Sequence, residues 1–75
     1  DQIAAAFDRQ DYNLAARLVK EFLQESPQNP WGHLYRARLF EVSDNFEGAT
    51  AIYEKLLKNV THPKIVSHAR QGLQR

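Results

Sequence analysis

Cysteine and methionine are both missing from this 75-residue sequence, and glycine and proline occur only three times each. Without cysteine the chain can form neither a disulfide framework nor a thiolate metal site. Because cysteine is absent, its usage does not distinguish an oxidising from a reducing compartment, and a cytoplasmic location is the working expectation. The apolar runs are only a few residues long, whereas a helix that crosses a bilayer needs about 20 apolar residues. We therefore expect no membrane insertion.

An excess of charge of one sign is missing as well, because ten Lys and Arg residues nearly balance nine Asp and Glu residues. The resulting net charge of +1 gives no reason to expect a nucleic acid partner. The charge is unevenly distributed, however: residues 1–25 hold five acids and three bases, a net of −2, and only bases follow Glu54. Charged side chains on solvated helix faces are one explanation of this pattern. The functional alternative is a head-to-tail contact or an acidic partner.

Motifs for catalysis and metal binding are also absent from the sequence. It contains no H-E-x-x-H, no paired carboxylates on an apolar helix and no glycine-rich phosphate loop. Its histidines are His33, His62 and His68. The last two are six residues apart, so we expect them to point to different sides of a helix. We predict no catalytic residue, no metal site, no cofactor and no enzyme activity.

Helical periodicity is what the sequence does contain. Proline separates the periodic segments at Pro27, Pro30 and Pro63, since it restricts the residue before it and suits the first position of a helix. With turns at residues 9–11 and 43–45, the pattern predicts five helices, at about Gln2–Asp8, Tyr12–Glu25, Pro30–Val42, Phe46–Asn59 and Pro63–Gln74. Connections of about three to five residues force neighbouring helices to run antiparallel.

Two segments of the chain match each other at one constant offset: DYNLAARLVKEFLQE, from Asp11, and NFEGATAIYEKLLKN, from Asn45. The matched apolar pairs are Tyr12/Phe46, Ala15/Ala49, Leu18/Ile52, Val19/Tyr53, Phe22/Leu56 and Leu23/Leu57. We expect each set to form the inward stripe of its helix. A period of about 34 residues indicates a helix–turn–helix unit that cannot bury its own apolar face and has to stack on its neighbours.

Several short motifs share one known pattern. They are Ala15-x3-Val19, Ala49-x3-Tyr53, the proline Pro27 and the opening Trp31-x2-Leu34. Together they resemble the tetratricopeptide repeat family, whose helix pairs are about 34 residues long. The register that preserves this period places the small residue of the family's first helix on Ala37 and its aromatic residue on Phe40.

The resemblance implies an all-α fold, a right-handed superhelical stack of antiparallel helix pairs. This α-solenoid would hold about two repeats and a capping helix. We expect a single domain over residues 1–75, with a partial first repeat at 1–28, a second repeat at 29–62 and the capping helix at 63–75. Because the chain starts at Asp1 without Met, we also expect it to be a piece of a longer protein.

The resemblance also implies a protein-interaction module, in which the first helices of successive pairs line a concave groove. Helical spacing within this arrangement predicts the groove residues Phe7, Trp31, Leu34, Arg38, Glu41, Ile65 and His68. Trp31 either packs between repeats or anchors a partner peptide, and Tyr35 is interpreted as a packing residue. Arg38 either grips a partner carboxylate or carbonyl, or pairs with Glu41 or Asp8.

The expected partner is a protein or peptide of unspecified identity. The alternative is a structural spacer, or a segment through which the parent protein self-associates into a homo-oligomer, with no peptide ligand.

Overall fold

The computed structural model describes residues 1–74, and this part of the chain contains five helices. They are α1 (Gln2–Asp8), α2 (Tyr12–Glu25), α3 (Pro30–Val42), α4 (Phe46–Asn59) and α5 (Pro63–Leu73). The predicted bounds of α1 to α4 are confirmed, and α5 ends one residue earlier than predicted because Gln74 is its C-cap. No strand occurs within residues 1–74, so the prediction of an all-α fold is confirmed.

Each helix packs on the next one along the chain, and α3 also contacts α5. The connecting loops comprise residues 9–11, 26–29, 43–45 and 60–62. Loops this short turn the chain back on itself, so that consecutive helices run antiparallel. The result is a stack of two helix pairs, α1–α2 and α3–α4, with α5 lying against the second pair. This architecture is that of a helical-repeat solenoid.

The turns that lead into α2 and α4, one repeat period apart, have the same backbone geometry. Gln10 and Asp44 have φ angles of 60° and 62°, and the N-caps that follow, Asp11 and Asn45, have φ, ψ angles of −89°, 77° and −91°, 74°. Each cap side chain accepts a hydrogen bond from the backbone N–H three residues further on, at 3.2 and 3.1 Å. Each cap N–H donates to the carbonyl five residues earlier, at 2.9 and 2.8 Å. The repeat seen in the sequence thus extends to individual hydrogen bonds.

Burial in α2 and α4 follows the same period. Ala15 and Ala49 are 0% and 2% exposed, and Val19 and Tyr53 are each 3% exposed. Small residues at such positions let neighbouring helix axes approach closely, to about 8–10 Å. Both helices therefore present an equivalent stripe to the helices they pack on.

One matched pair does not share its surroundings. Tyr12 is half-buried against the ring of Phe7, with ring centroids 6.1 Å apart, whereas Phe46 is 58% exposed. The prediction that Phe46 faces inward is therefore wrong. The physical reason is the residue one period after Phe7. That residue is Glu41, so the second repeat lacks the ring against which Phe46 would pack.

The main core lies between the second helix pair and α5. Its buried members are Leu34 and Ala37 from α3, Ala49, Tyr53 and Leu56 from α4, and Ile65 and Ala69 from α5. Without α5, the apolar side of the α3–α4 pair would face water. α5 thus covers the apolar side of the α3–α4 pair.

Helices α4 and α5 approach each other closely at Gly72. A Cβ atom added to Gly72 would overlap the Tyr53 ring at Cδ2, Cε2 and Cζ. Tyr53 has little freedom to move aside, because its ring is buried and its hydroxyl donates a hydrogen bond to the carboxylate of Glu41. Glycine at residue 72 therefore sets the distance between these two helices.

We predict that Gly72→Ala lowers the free energy of unfolding by about 1–2 kcal/mol, since overpacking outweighs the gain in helix propensity. Urea denaturation followed by circular dichroism measures the change. Gln71→Ala is the matched control, because Gln71 is exposed on the same helix and should change stability by less than about 0.5 kcal/mol. A Gly72→Ala variant as stable as the wild type would contradict the close approach.

We predict that Gln10→Gly stabilises the chain by about 0.5–1 kcal/mol, because a left-handed φ costs a non-glycine residue more than the extra backbone freedom of glycine. Arg9→Gly is the control: Arg9 is its exposed neighbour with φ −86°, where glycine relieves nothing and should destabilise. Thermal and urea denaturation compare the two variants. Equal losses of stability would show that the turn stores no backbone strain at Gln10.

Candidate functional site

One side of α3 carries Trp31, Tyr35, Arg38 and Val42, spaced four, three and four residues apart. This spacing places their side chains in one row along the helix. The first three are half-buried and Val42 is 44% exposed. We call this surface the α3 face. It borders α1 through Tyr35 and Arg38, and α5 through Trp31.

The ring of Phe7, near the end of α1, is the centre of an aromatic cluster. Tyr35 stacks on it with centroids 5.8 Å apart and planes 20° apart, and Tyr12 meets it edge-on at 63°. The guanidinium carbon of Arg38 lies 5.8 Å from the Phe7 centroid. A cation–π contact of this kind contributes about 0.5–1 kcal/mol at an exposed site. Phe7 is thereby fixed by two rings and a cation.

Tyr35 holds the other end of α1 as well. Its hydroxyl donates a hydrogen bond to Asp1 Oδ2 at 3.3 Å, and Asp1 Oδ1 accepts from the backbone N–H of Ile3 at 2.8 Å. Asp1 is the N-cap of α1, so the same carboxylate begins the helix and ties it to α3. Tyr35 thus packs, as interpreted from the sequence, and it also lines the open surface.

A cleft of about 300 Å³ lies between α1 and α3. We call it the α1–α3 cleft, and its lining residues are Ala4, Phe7, Asp8, Tyr12, Tyr35, Arg38, Glu41 and Val42. It combines aromatic walls with charges of both signs. Such a lining offers a ligand both aromatic ring faces and groups that can form charge-assisted hydrogen bonds.

Glu41 connects this cleft to the core. Its carboxylate accepts a hydrogen bond from the hydroxyl of Tyr53, whose ring is buried between α4 and α5. A charged group at the edge of the cleft is in this way tied to a ring of the core. The position of this lining carboxylate therefore depends on the packing of α4.

Trp31 occupies the opposite end of the α3 face and contacts two histidines edge-on. The ring centroids of His62 and His68 lie 5.6 and 6.5 Å from that of the indole. The indole is half-buried, so it packs against α5 and also retains an open side. Packing and partner contact, the two alternatives for Trp31, are therefore compatible.

The expectation that His62 and His68 point to different sides is wrong. His62 is the N-cap of α5 and its Nδ1 accepts the backbone N–H of Lys64 at 3.3 Å. Because His62 precedes the helix, the helical angle does not apply to it, and both imidazoles reach Trp31.

Two predicted groove residues lie elsewhere. Leu34 and Ile65 are 2% and 1% exposed and belong to the core between α3, α4 and α5, so their assignment to an open groove is wrong. Adjacent residues on a helix differ by about 100° in direction, and Tyr35, next to Leu34, takes the open position instead. The sequence reasoning missed Tyr35 and Val42 as lining residues, although their spacing from Trp31 and Arg38 forms a row.

Within residues 1–74, no three His, Cys, Asp or Glu side chains converge in a way that could hold a metal ion. None of the helices in this part of the chain has the length and apolar character needed to cross a membrane.

Stacked helix pairs, turns that recur with the period of the sequence repeat and a fifth helix packed on the second pair define the class of helical-repeat proteins. The model of the tetratricopeptide repeat family matches residues 6–67, which is most of the chain. The chain therefore belongs to the tetratricopeptide repeat family. Repeats of this family generally mediate protein–protein interaction and are typically non-catalytic. Comparison with curated proteins and with solved structures finds no match.

We predict a coupling of about 0.5–1.5 kcal/mol between Phe7 and Tyr35, the value expected for a stacked aromatic pair. A double-mutant cycle of Phe7→Leu and Tyr35→Leu, with urea denaturation of all four proteins, measures it. Phe7→Leu combined with Phe46→Leu is the control, because Phe46 is exposed on α4 and the two effects should add. Additive effects for Phe7 and Tyr35 as well would show that their stacking contributes nothing to stability.

Proposed function

We propose that this chain binds a segment of a protein partner, an extended peptide or a single helix, along the α3 face. The observation that carries the proposal is the α1–α3 cleft, where Phe7 and Tyr35 form an aromatic wall beside Arg38 and an exposed Val42. Aromatic residues and arginine dominate the binding energy of protein interfaces. Rings that already stack lose little conformational freedom on binding, which favours affinity.

Each side chain has a distinct role in this proposal. Val42 offers apolar contact area, and Phe7 and Tyr35 supply rigid walls. The Arg38 guanidinium lies over the Phe7 ring, and its N–H groups at the edge of that contact suit a carbonyl or carboxylate of the partner. Glu41 supplies a carboxylate whose position is set by Tyr53.

Trp31 and His68 extend the site toward α5. From Trp31 to Val42 the row covers 12 residues of helix, a rise of about 16 Å, which accommodates roughly five residues of an extended peptide. The site would then draw Phe7 from the partial first repeat (1–28), Arg38 from the second (29–62) and His68 from the capping helix (63–75).

The test is to select peptides from a random linear library on the wild-type chain and to measure their affinity by fluorescence anisotropy. We predict that Arg38→Ala and Val42→Ala each weaken the selected peptides about tenfold, which is a loss of about 1.4 kcal/mol of binding free energy. Arg17→Ala is the control, because Arg17 is an exposed arginine on α2 outside the cleft.

Two outcomes would contradict the proposal. One is that no peptide is selected, or that the selected peptides bind wild type and both cleft variants equally. The other is that the chain self-associates in sedimentation velocity and that Arg38→Ala abolishes the association. In that case the α3 face serves self-assembly, which is the alternative function.

A further inference from the structure

A second cleft opens between α3 and α4, and it shares no lining residue with the α1–α3 cleft. We call it the α3–α4 cleft; it encloses about 460 Å³ and is lined by Gln28, Pro30, His33, Arg36, Ile52, Lys55, Leu56, Asn59 and Val60. Arg36 precedes Arg38 by two residues, which corresponds to about 200° around the helix. The cleft therefore lies on the side of α3 that faces away from the α3 face.

The rim of this cleft is cationic. Its cations are Arg36 and Lys55, the imidazole of His33 also lines it, and no carboxylate does so among the described residues. The Arg36 guanidinium is held over the ring of Phe40, 5.0 Å from its centroid. His33 Nε2 lies 2.7 Å from the carbonyl oxygen of Pro27, and because a carbonyl only accepts, this nitrogen carries the proton.

The floor of the cleft is aliphatic. Leu56 is buried, and Ile52 and Val60 are half-buried. The amides of Gln28 and Asn59 complete the lining, and Asn59 Nδ2 donates to the carbonyl of Lys55 at 2.9 Å. An aliphatic floor beneath a cationic rim is complementary to a segment that carries both aliphatic and acidic side chains.

The equivalent surface of the first helix pair shows that the fold does not need these cations. In the register of the repeat, Lys55 corresponds to Glu21 and Asn59 to Glu25. The surface between α1 and α2 that contains these glutamates also includes Asp1 and, within residues 1–74, no Lys or Arg. Its apolar residues Leu18 and Phe22 match Ile52 and Leu56, so the apolar floor recurs while the charge changes sign. The cationic rim is thus specific to the second pair.

We propose that the α3–α4 cleft is a second binding surface, which takes an acidic peptide segment with aliphatic side chains from a protein partner. Charge complementarity with the rim commits the proposal to an acidic occupant, and the aliphatic floor selects a peptide over a nucleic acid. No Phe, Tyr or Trp lines the cleft, whereas single-stranded nucleic acid is bound by stacking its bases on such rings. The proposal is independent of partner binding at the α3 face.

The probe is a fluorescein-labelled peptide of glutamate and leucine with one leucine per helical turn, measured by anisotropy at low and at physiological salt. We expect Lys55→Glu and Arg36→Glu each to weaken its binding about tenfold or more, and salt to weaken the wild-type complex. Lys58→Glu is the matched control, because it makes the same charge change at an exposed residue of α4 that does not line the cleft. We expect it to change affinity less than about threefold.

Circular dichroism tests whether the three variants remain folded, as we expect for exposed residues, and Arg38→Ala should leave this binding unchanged. Equal weakening by Lys55→Glu and Lys58→Glu would overturn the proposal, as would equal binding of a lysine–leucine peptide. The proposal would also be overturned if a uridine oligonucleotide bound more tightly than the glutamate–leucine peptide and if Lys55→Glu weakened its binding to the same extent. Self-association that Lys55→Glu abolishes would identify the occupant as a second copy and overturn it too.

Discussion

A helix pair of this size leaves an apolar stripe open to water unless another helix covers it, and the packing around Tyr53 is where that requirement is met. The ring of Tyr53 is buried, Gly72 lets α5 approach it, and its hydroxyl reaches Glu41. Ile65 and Ala69 of α5 complete the same core. The contact between α4 and α5 therefore also fixes a carboxylate at the edge of the candidate site, so core packing and site geometry are coupled.

For α1 the dependence is reversed, because the side chains of the candidate site hold this helix in place. With seven residues, α1 is far shorter than the roughly 12–15 residues at which an isolated helix becomes marginally stable. Its anchors on α3 are the stack of Phe7 on Tyr35, the cation of Arg38 and the hydrogen bond from Tyr35 to Asp1. These side chains also line the α1–α3 cleft. The position of α1 and the shape of the cleft therefore depend on the same contacts.

The sequence was sufficient for the helices and their order, because prolines, caps and the repeat period act locally and agree with one another. It was less informative about which side of α3 is open. This helix packs against α2, α4 and α5 and touches Phe7 of α1, so apolar residues occur around most of its circumference and no single stripe stands out. Leu34 and Tyr35 are adjacent and both apolar in character, and only three-dimensional packing decides that Leu34 turns inward. His62 was misjudged for a related reason, since its direction is set by the loop and not by helical geometry.

Enclosure of α3 on most sides also determines where partners can reach it. Its solvent-accessible strips lie on two nearly opposite sides, one with the half-buried Tyr35 and Arg38 and the other with His33 and Arg36. Both arginines lie over phenylalanine rings, Arg38 over Phe7 of α1 and Arg36 over Phe40 of α3 itself. Stacking of this kind restrains a long side chain while its N–H groups stay at the surface. Because the two strips are separated by the body of the helix, one rigid helix presents two chemically different surfaces at once, and a ligand proposed for one cleft would leave the other open.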